Sequence, residues 1–248
     1  MTYVLLAGVV GWAAILGYQT AAPLVTAWLA VKDVMVSGHN QVPRAEVLNY
    51  LKLDPHATLL SVNSRYLAKR LEAHPWIKRA DVKRVLPNAL HIHIVERQAA
   101  AVLRSSAITL LLDEEGHPLS VLSESTEPGL PILVGLNPKR LMSGERELIK
   151  AAQRGIEVAG MLARTFDGRP EVDVANGENI VAYVQGLRLQ FGGSSFEEKW
   201  ELYRKLESHV AGNPSSLNHL NHLNQGRTDG RSEIDLRYPG KVIVRERG

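Results

Sequence analysis

Residues 74–97 read HPWIKRADVKRVLPNALHIHIVER. They contain five Lys or Arg residues, three histidines of which His91 and His93 are two positions apart, and a Pro-Asn pair between two apolar-alternating runs. Pro-Asn is a turn signal. The flanking runs, 77–86 and 90–95, alternate with the two-residue period of strands, and Leu90, Ile92 and Ile94 share one face. The stretch therefore predicts a hairpin. Trp76, just after Pro75, is expected to pack at its corner, and Lys78, Arg79, Lys83 and Arg84 to lie on solvated edges where cations deter edge-to-edge pairing.

Working back from the hairpin, KDVMVSG (32–38) alternates as a strand closed by Gly38. In VPRAEVLNYLKL, Pro43 suits a first helical turn, and Val47, Leu48 and Leu51 fall on one face. Asn63 is the expected N-cap of a second helix, with Val62 and Leu67 at hydrophobic-staple spacing and Pro75 as its stop. Residues 32–97 thus predict strand, helix, helix, strand, strand: an α+β unit with helices on one face of a small sheet.

The first 31 residues contain no Asp, Glu, Lys or Arg; Lys32 is the first charge. A membrane-spanning helix needs about 20 predominantly apolar residues, and residues 3–24 supply them, with Trp12, Tyr18 and Trp28 as interface markers. Gly8 and Gly11 do not form GxxxG, so helix dimerisation is not indicated. A cleaved signal peptide would have a cationic start and a shorter apolar core, so an uncleaved anchor is the expectation. All 29 Lys and Arg follow the segment. The positive-inside rule taken literally keeps the bulk of the chain in the cytoplasm, but long domains translocate largely regardless of charge, so composition leaves orientation open.

After residue 98 the chain turns mainly to strands. Residues 108–112 and 119–122 flank a DEEG turn as a hairpin, and LPILVG follows a Pro-containing connection. A helix is expected over 145–163, with Leu148, Ile149, Ala152, Ile156 and Ala159 on one stripe. Three short strands follow at 171–174, 180–184 and 187–191. Ser195 and Glu198 form a capping-box pattern before a helix burying Phe196, Trp200, Tyr203 and Leu206. Residues 211–232, rich in Gly, Ser and Asn, read as a loop. SEIDLRYPGKVIVRERG closes the chain as a hairpin around Pro239-Gly240, with Ile234, Leu236 and Tyr238 on one face.

Catalytic chemistry finds little support. With no cysteine, disulfides, thiolate catalysis and zinc–sulfur sites are excluded. His91 and His93 share a strand face, but two ligands do not make a zinc site. His219 and His222 have chelating spacing in the Gly/Ser/Asn-rich loop, a weak basis for a metal. Asp113, Glu114 and Glu115 read as solvated turn residues rather than an acid–base cluster. Gly192-Gly193-Ser194-Ser195 suits a loop with a helix cap better than an anion site. No GxSxG, HExxH, Walker A or strand-linked GxGxxG occurs. A net charge of +3 and a basic stretch whose sole aromatic is Trp76 argue against a nucleic-acid platform. No cofactor, metal or small-molecule substrate is expected, and an enzyme is disfavoured.

The ordered motifs carry a resemblance. PWIKRADVKRVLPNALHIHIVERQAAA is similar to the end of the POTRA module of FtsQ/DivIB cell-division proteins. LLDEEGHPLS resembles that family's L-(V/I)-D-x-x-G segment, LPILVG follows in family order, and EIDLRYPGKVIVR resembles its (V/I)-D-L-R-Y terminal hairpin. Departures are Leu86 where members often have Trp, Gln98-Ala99-Ala100 where Pro is common, and Val244-Arg245 where some members have an aromatic. The sequence opens directly on the apolar segment, where members of that family usually carry a cytoplasmic tail.

The resemblance implies an α+β architecture in three parts: a transmembrane anchor (1–29), a POTRA domain (30–97), and a mainly antiparallel β domain with two or three helices (98–248). It further implies a non-enzymatic, single-pass scaffold of the bacterial divisome, anchored in the inner membrane at the septum with its bulk in the periplasm. Such a scaffold binds FtsB and FtsL and helps control septal peptidoglycan synthesis. By the same resemblance, Tyr238, Gly240, Lys241, Val242, Ile243, Val244 and Arg245 form the FtsB-binding edge, where β-augmentation is a natural mode; simple packing explains Tyr238 equally well. Three other readings are a POTRA protein of membrane-protein assembly or secretion, whose tandem modules and barrel this length cannot hold, a membrane-anchored periplasmic hydrolase, and a cytoplasmic-facing nucleic-acid binder, which would follow from the literal charge asymmetry.

Overall fold

The structure, a computed structural model, describes residues 11–12, 25–123, 128–192, 195–211, 232–238 and 240–246. The chain divides into two compact units, Met1–Arg97 and Gln98–Gly248.

The first unit has β1 (Asp33–Ser37), α1 (Arg44–Leu51), α2 (Ser64–Glu72), β2 (Ile77–Val85) and β3 (Ala89–Glu96). The sheet order is β1-β3-β2, with β3 parallel to β1 and antiparallel to β2. Alternation dictates the faces: Leu90, Ile92 and Ile94 are buried while His91 and His93 are exposed. Each fully buried aliphatic side chain is worth roughly 1.5–3 kcal/mol. Helices α1 and α2 supply Val47, Leu51, Leu67 and Leu71 to the same core. Asn63 caps α2, its side-chain oxygen accepting from Tyr66 N at 3.1 Å. Pro43 occupies the N-cap position of α1, one residue ahead of the helix proper. Trp76 packs partly buried against the core. Arg84 is not simply solvated, because its guanidinium donates to Val62 O at 2.6 Å.

The second unit has β4 (Ala99–Arg104), β5 (Thr109–Asp113), β6 (Pro118–Leu122), β7 (Ile132–Val134), α3 (Pro138–Met142), α4 (Arg146–Ala163), β8 (Glu171–Asp173), β9 (Ile180–Val184), β10 (Leu187–Gly192), α5 (Phe196–Ala211), β11 (Ser232–Asp235) and β12 (Ile243–Glu246). Its nine strands form one sheet, ordered β12-β11-β10-β9-β8-β7-β4-β5-β6. Most neighbours are antiparallel, but β4–β7, β7–β8 and β10–β11 are parallel. Parallel neighbours need a crossover connection: α3 and α4 lie between β7 and β8, and α5 lies between β10 and β11.

Several expectations shift. Strand β4 (AAAVLR) was not foreseen: burial of Ala101, Val102 and Leu103 in succession removes the polar–apolar alternation that marks a half-exposed strand. Helix α4 buries Ala151, Ala152, Gly155, Val158, Ala159 and Leu162, leaving Leu148, Ile149 and Ile156 at the margin. Its small residues let the helix settle closely on the sheet. Ser195 enters α5 at φ +57° rather than in the extended conformation of a capping box. Phe196, Trp200 and Tyr203 are buried as expected, with Trp200 and Tyr203 stacked at 5.1 Å. The side chain of Leu206, loop residues 212–231 and most of the apolar segment 3–24 lie outside the described residues. Among the described residues, no helix is long and apolar enough to cross a membrane.

Candidate functional site: the β11–β12 edge

Strand β12 ends the sheet, paired with β11 on one side through Glu233↔Arg245, Ile234↔Val244 and Asp235↔Ile243. In an antiparallel ladder, alternate residues direct both backbone groups to one neighbour. Half of the β12 residues therefore turn their N–H and C=O away from β11, the template an incoming strand needs. Gly240, at φ +69°, makes the reversal, and Lys241 N donates to Tyr238 O at 3.3 Å. Val242 precedes the ladder and packs partly buried against the core. Along β12, Ile243 is half-buried while Val244, 52% accessible, is exposed, and Lys241 and Arg245 are exposed. Tyr238 is 50% exposed rather than sharing the buried face of Ile234 and Leu236. Arg237 lies over its ring at 5.8 Å. The edge thus juxtaposes backbone that is unpaired among the described residues, an apolar Val244 and an amphipathic Tyr238.

The strand beneath this edge is held by buried charge. Asp235 is fully buried and accepts from Arg237 N, Nε and Nη2 at 3.1, 2.9 and 2.7 Å. Those Arg237 hydrogen bonds hold the Asp235 carboxyl below its ordinary 3.8, against burial, which would raise it. On the other side, Glu233 Oε1 accepts from Arg188 Nη1 at 2.8 Å and Gln190 Nε2 at 2.7 Å, pinning β11 to β10. Sequence reasoning missed both contacts; the available signal was an Asp-x-Arg pair, whose spacing puts both side chains on one strand face.

Replacing Arg237 with Ala leaves a buried carboxylate with one of its three donors and is expected to cost about 2 kcal/mol. Because folding lowers the Asp235 pKa, the pair's contribution is present above 3.8 and fades as pH falls through the lowered value. Urea unfolding of the full chain should show a deficit at neutral pH that shrinks in acid. A deficit equal at both would rule out the carboxylate as its source.

The other candidates resolve as structure. Asp113 is not a solvated turn residue: it is 1% exposed, and its Oδ1 accepts from the N–H of Glu115 and His117 at 3.0 and 2.7 Å. Asp113, Glu115 and His117 do bring ligand-type atoms within 4.8 Å of one another. Within that cluster the Asp113 carboxylate organises the backbone of the hairpin tip, and His117 Nδ1 lies 3.6 Å from Asp113 Oδ1 and 3.7 Å from Glu115 Oε2. His91 and His93 both approach Ser37 Oγ, at 3.5 and 3.2 Å, on the exposed sheet face. Lys83 pairs with Asp81 at 3.0 Å. Gly192 belongs to β10, and residues 193–194, like His219 and His222, lie outside the described residues.

A three-stranded sheet covered by two helices, joined to a long sheet ending in a free strand, defines a POTRA-bearing protein with a second β unit. Residues 29–97 match the family model for the FtsQ-type POTRA domain. Relatives carrying the name cell division protein FtsQ extend the similarity. The protein from Agrobacterium fabrum is 29% identical over 109 residues, covering 44% of this chain and 34% of the relative. Those from Syntrophotalea carbinolica and Anaeromyxobacter are 22% and 26% identical over 189 and 224 residues, covering 72% and 82% of this chain and 65% and 76% of the relatives. The chain thus spans less than two thirds of the first two relatives' lengths. It carries an FtsQ-type POTRA domain over residues 29–97 and is similar over most of its length to proteins named cell division protein FtsQ.

Proposed function

We propose that this protein is a non-enzymatic, single-pass scaffold of the divisome. Residues 1–29 would anchor it in the bacterial inner membrane, the POTRA domain (30–97) and β domain (98–248) would lie on the periplasmic side at the septum, and FtsB and FtsL would be its partners in controlling septal peptidoglycan synthesis. The observation that carries the reading is the position of β12: among the described residues it ends a nine-stranded sheet with one side unpaired. A strand from FtsB adds there, contacting Tyr238, Gly240, Lys241, Val242, Ile243, Val244 and Arg245. Main-chain hydrogen bonds supply the affinity, while Val244 and Tyr238 select side chains.

Val242→Pro tests the site. Proline removes a backbone donor just ahead of the β11–β12 register, so no ladder bond to β11 is lost. A net hydrogen bond of about 1 kcal/mol plus altered φ predicts a roughly tenfold loss of FtsB capture with folding intact. Undiminished capture by a folded variant would place FtsB elsewhere. A reporter fusion at the C-terminus, read for periplasmic or cytoplasmic activity, tests the topology.

A further inference from the structure

We infer that the turn carrying Leu60 is a lipid-contacting foot that seats the POTRA domain on the membrane surface beside its own anchor. The inference rests on the reading of residues 3–24 as a membrane span. After that segment, residues 25–28 make one helical turn, and Leu29 is already in the POTRA core. The five residues from Leu24 to Leu29 cover about 7.5 Å as helix, and at most about 18 Å fully extended. The core therefore begins within or just outside the headgroup layer, which adds roughly 5–8 Å to each side of the hydrocarbon.

What lies beside that exit is set by a short antiparallel bridge. Ala30 pairs with Thr58, Val31 N donates to Ala57 O at 2.9 Å, and Leu59 N donates to Leu29 O at 2.8 Å. Because the bridge is antiparallel, residues 57–59 run back toward the apolar segment as residues 29–31 run away from it. The chain then reverses through the Thr58–Ser61 turn, with Leu60 at its tip.

The turn is rigidly built. Ser61 N donates to Thr58 O at 3.0 Å, Thr58 N to Ser61 Oγ at 3.0 Å, Ser61 Oγ to Thr58 O at 3.0 Å, and Ser61 N to Thr58 Oγ1 at 3.2 Å. It splits two adjacent leucines: Leu59 is buried in the core, and Leu60 is 70% exposed. A fixed, outward leucine has no role in the POTRA core. On a segment bridged to the residues that leave the anchor, it adds an exposed apolar side chain to those of Trp28 and Val25, suited to the depth where interfacial side chains settle. The occupant is the lipid surface itself, because chain continuity brings the bilayer to this turn without any partner.

The absence of cysteine makes the test free of background labelling. The full chain carrying Leu60→Cys or Met35→Cys is labelled with an environment-sensitive fluorophore and reconstituted into vesicles of phosphatidylethanolamine and phosphatidylglycerol. Met35 is the reference: it is also exposed but lies six residues beyond Leu29, about 20 Å along an extended chain. The expected result is co-flotation of both proteins, blue-shifted emission at position 60 alone, and quenching there by spin-labelled lipid severalfold stronger than at 35. Co-flotation with equal quenching at the two positions overturns the foot while leaving the anchor standing, and would mean that Leu60 awaits a protein instead. Failure of either protein to float overturns the anchor, and the foot with it.

Discussion

Gly116→Ala is expected to lower the thermal midpoint of the full chain by about 10 °C, on the order of 2–5 kcal/mol at roughly 2–4 °C per kcal/mol. Two penalties coincide there. Gly116 closes the DEEG turn between β5 and β6 at φ +83°, a conformation that costs an L-residue about 1–2 kcal/mol. An added Cβ would also sit 2.5 Å from Ile149 O and 2.9 Å from Gln153 N, both backbone atoms of α4. Helical backbone cannot swing aside like a side-chain tip, so the hairpin or the helix must shift, at a further cost of roughly 1–3 kcal/mol. Gly144 separates the two effects. Its φ is +81°, but nothing lies within 4 Å of its Cβ position, so Gly144→Ala should cost only the backbone strain. Equal midpoints for the two variants would mean that the close approach of hairpin and helix is not what requires glycine.

Glu96→Ala should destabilise the POTRA unit by about 2–3 kcal/mol, a value for charge-assisted hydrogen bonds discounted for partial exposure. Glu96 ends β3, and its carboxylate gathers the chain that leads from β1 into α1. Oε1 accepts from the N–H of Asn40, Gln41 and Val42 at 2.9, 3.1 and 2.8 Å, and Oε2 from Gln41 at 2.9 Å. Val42 is buried, so its N–H has no ready replacement in water. Burial works against ionisation, but the donors Gln41, Val42 and Asn40 outweigh it and hold the carboxyl below its ordinary 4.5. A carboxylate with a lowered folded pKa stabilises above its unfolded value and loses that contribution as pH falls through the folded one. Glu96→Gln should therefore lie below the unmodified chain at neutral pH and converge with it in acid, as followed by urea titration. A gap that stays constant with pH would assign the effect to shape rather than charge.

These two residues show where sequence reasoning reached and where it stopped. The DEEG tip is recognisable as a turn from composition, yet nothing local shows that α4, more than thirty residues on, lies against Gly116 or that Asp113 is buried rather than solvated. Glu96 is recognisable as the end of an alternating strand. Its partners, more than fifty residues earlier, come together only when β1 and β3 pair in parallel. Helix α4 was placed to within a residue, but its buried stripe was turned toward the small residues, because sheet contact favours Ala152, Gly155 and Ala159 over the larger Ile149 and Ile156.

The sequence alone determined what depends on local period and punctuation. It established the strand–helix–helix–strand–strand order of residues 32–97, the hairpin at Pro87-Asn88, the long helix before β8, and the terminal reversal at Gly240. Each follows from alternation, capping or turn chemistry within a few residues. Only the tertiary structure decided which strands are neighbours: the parallel pairs β4–β7, β7–β8 and β10–β11, the strand β4 without alternation, and the place of β12 at the end of the sheet. Strand order is a long-range choice made by burial on both faces of the sheet. The same choice that buries Asp235 beneath the edge leaves one side of β12 unpaired among the described residues.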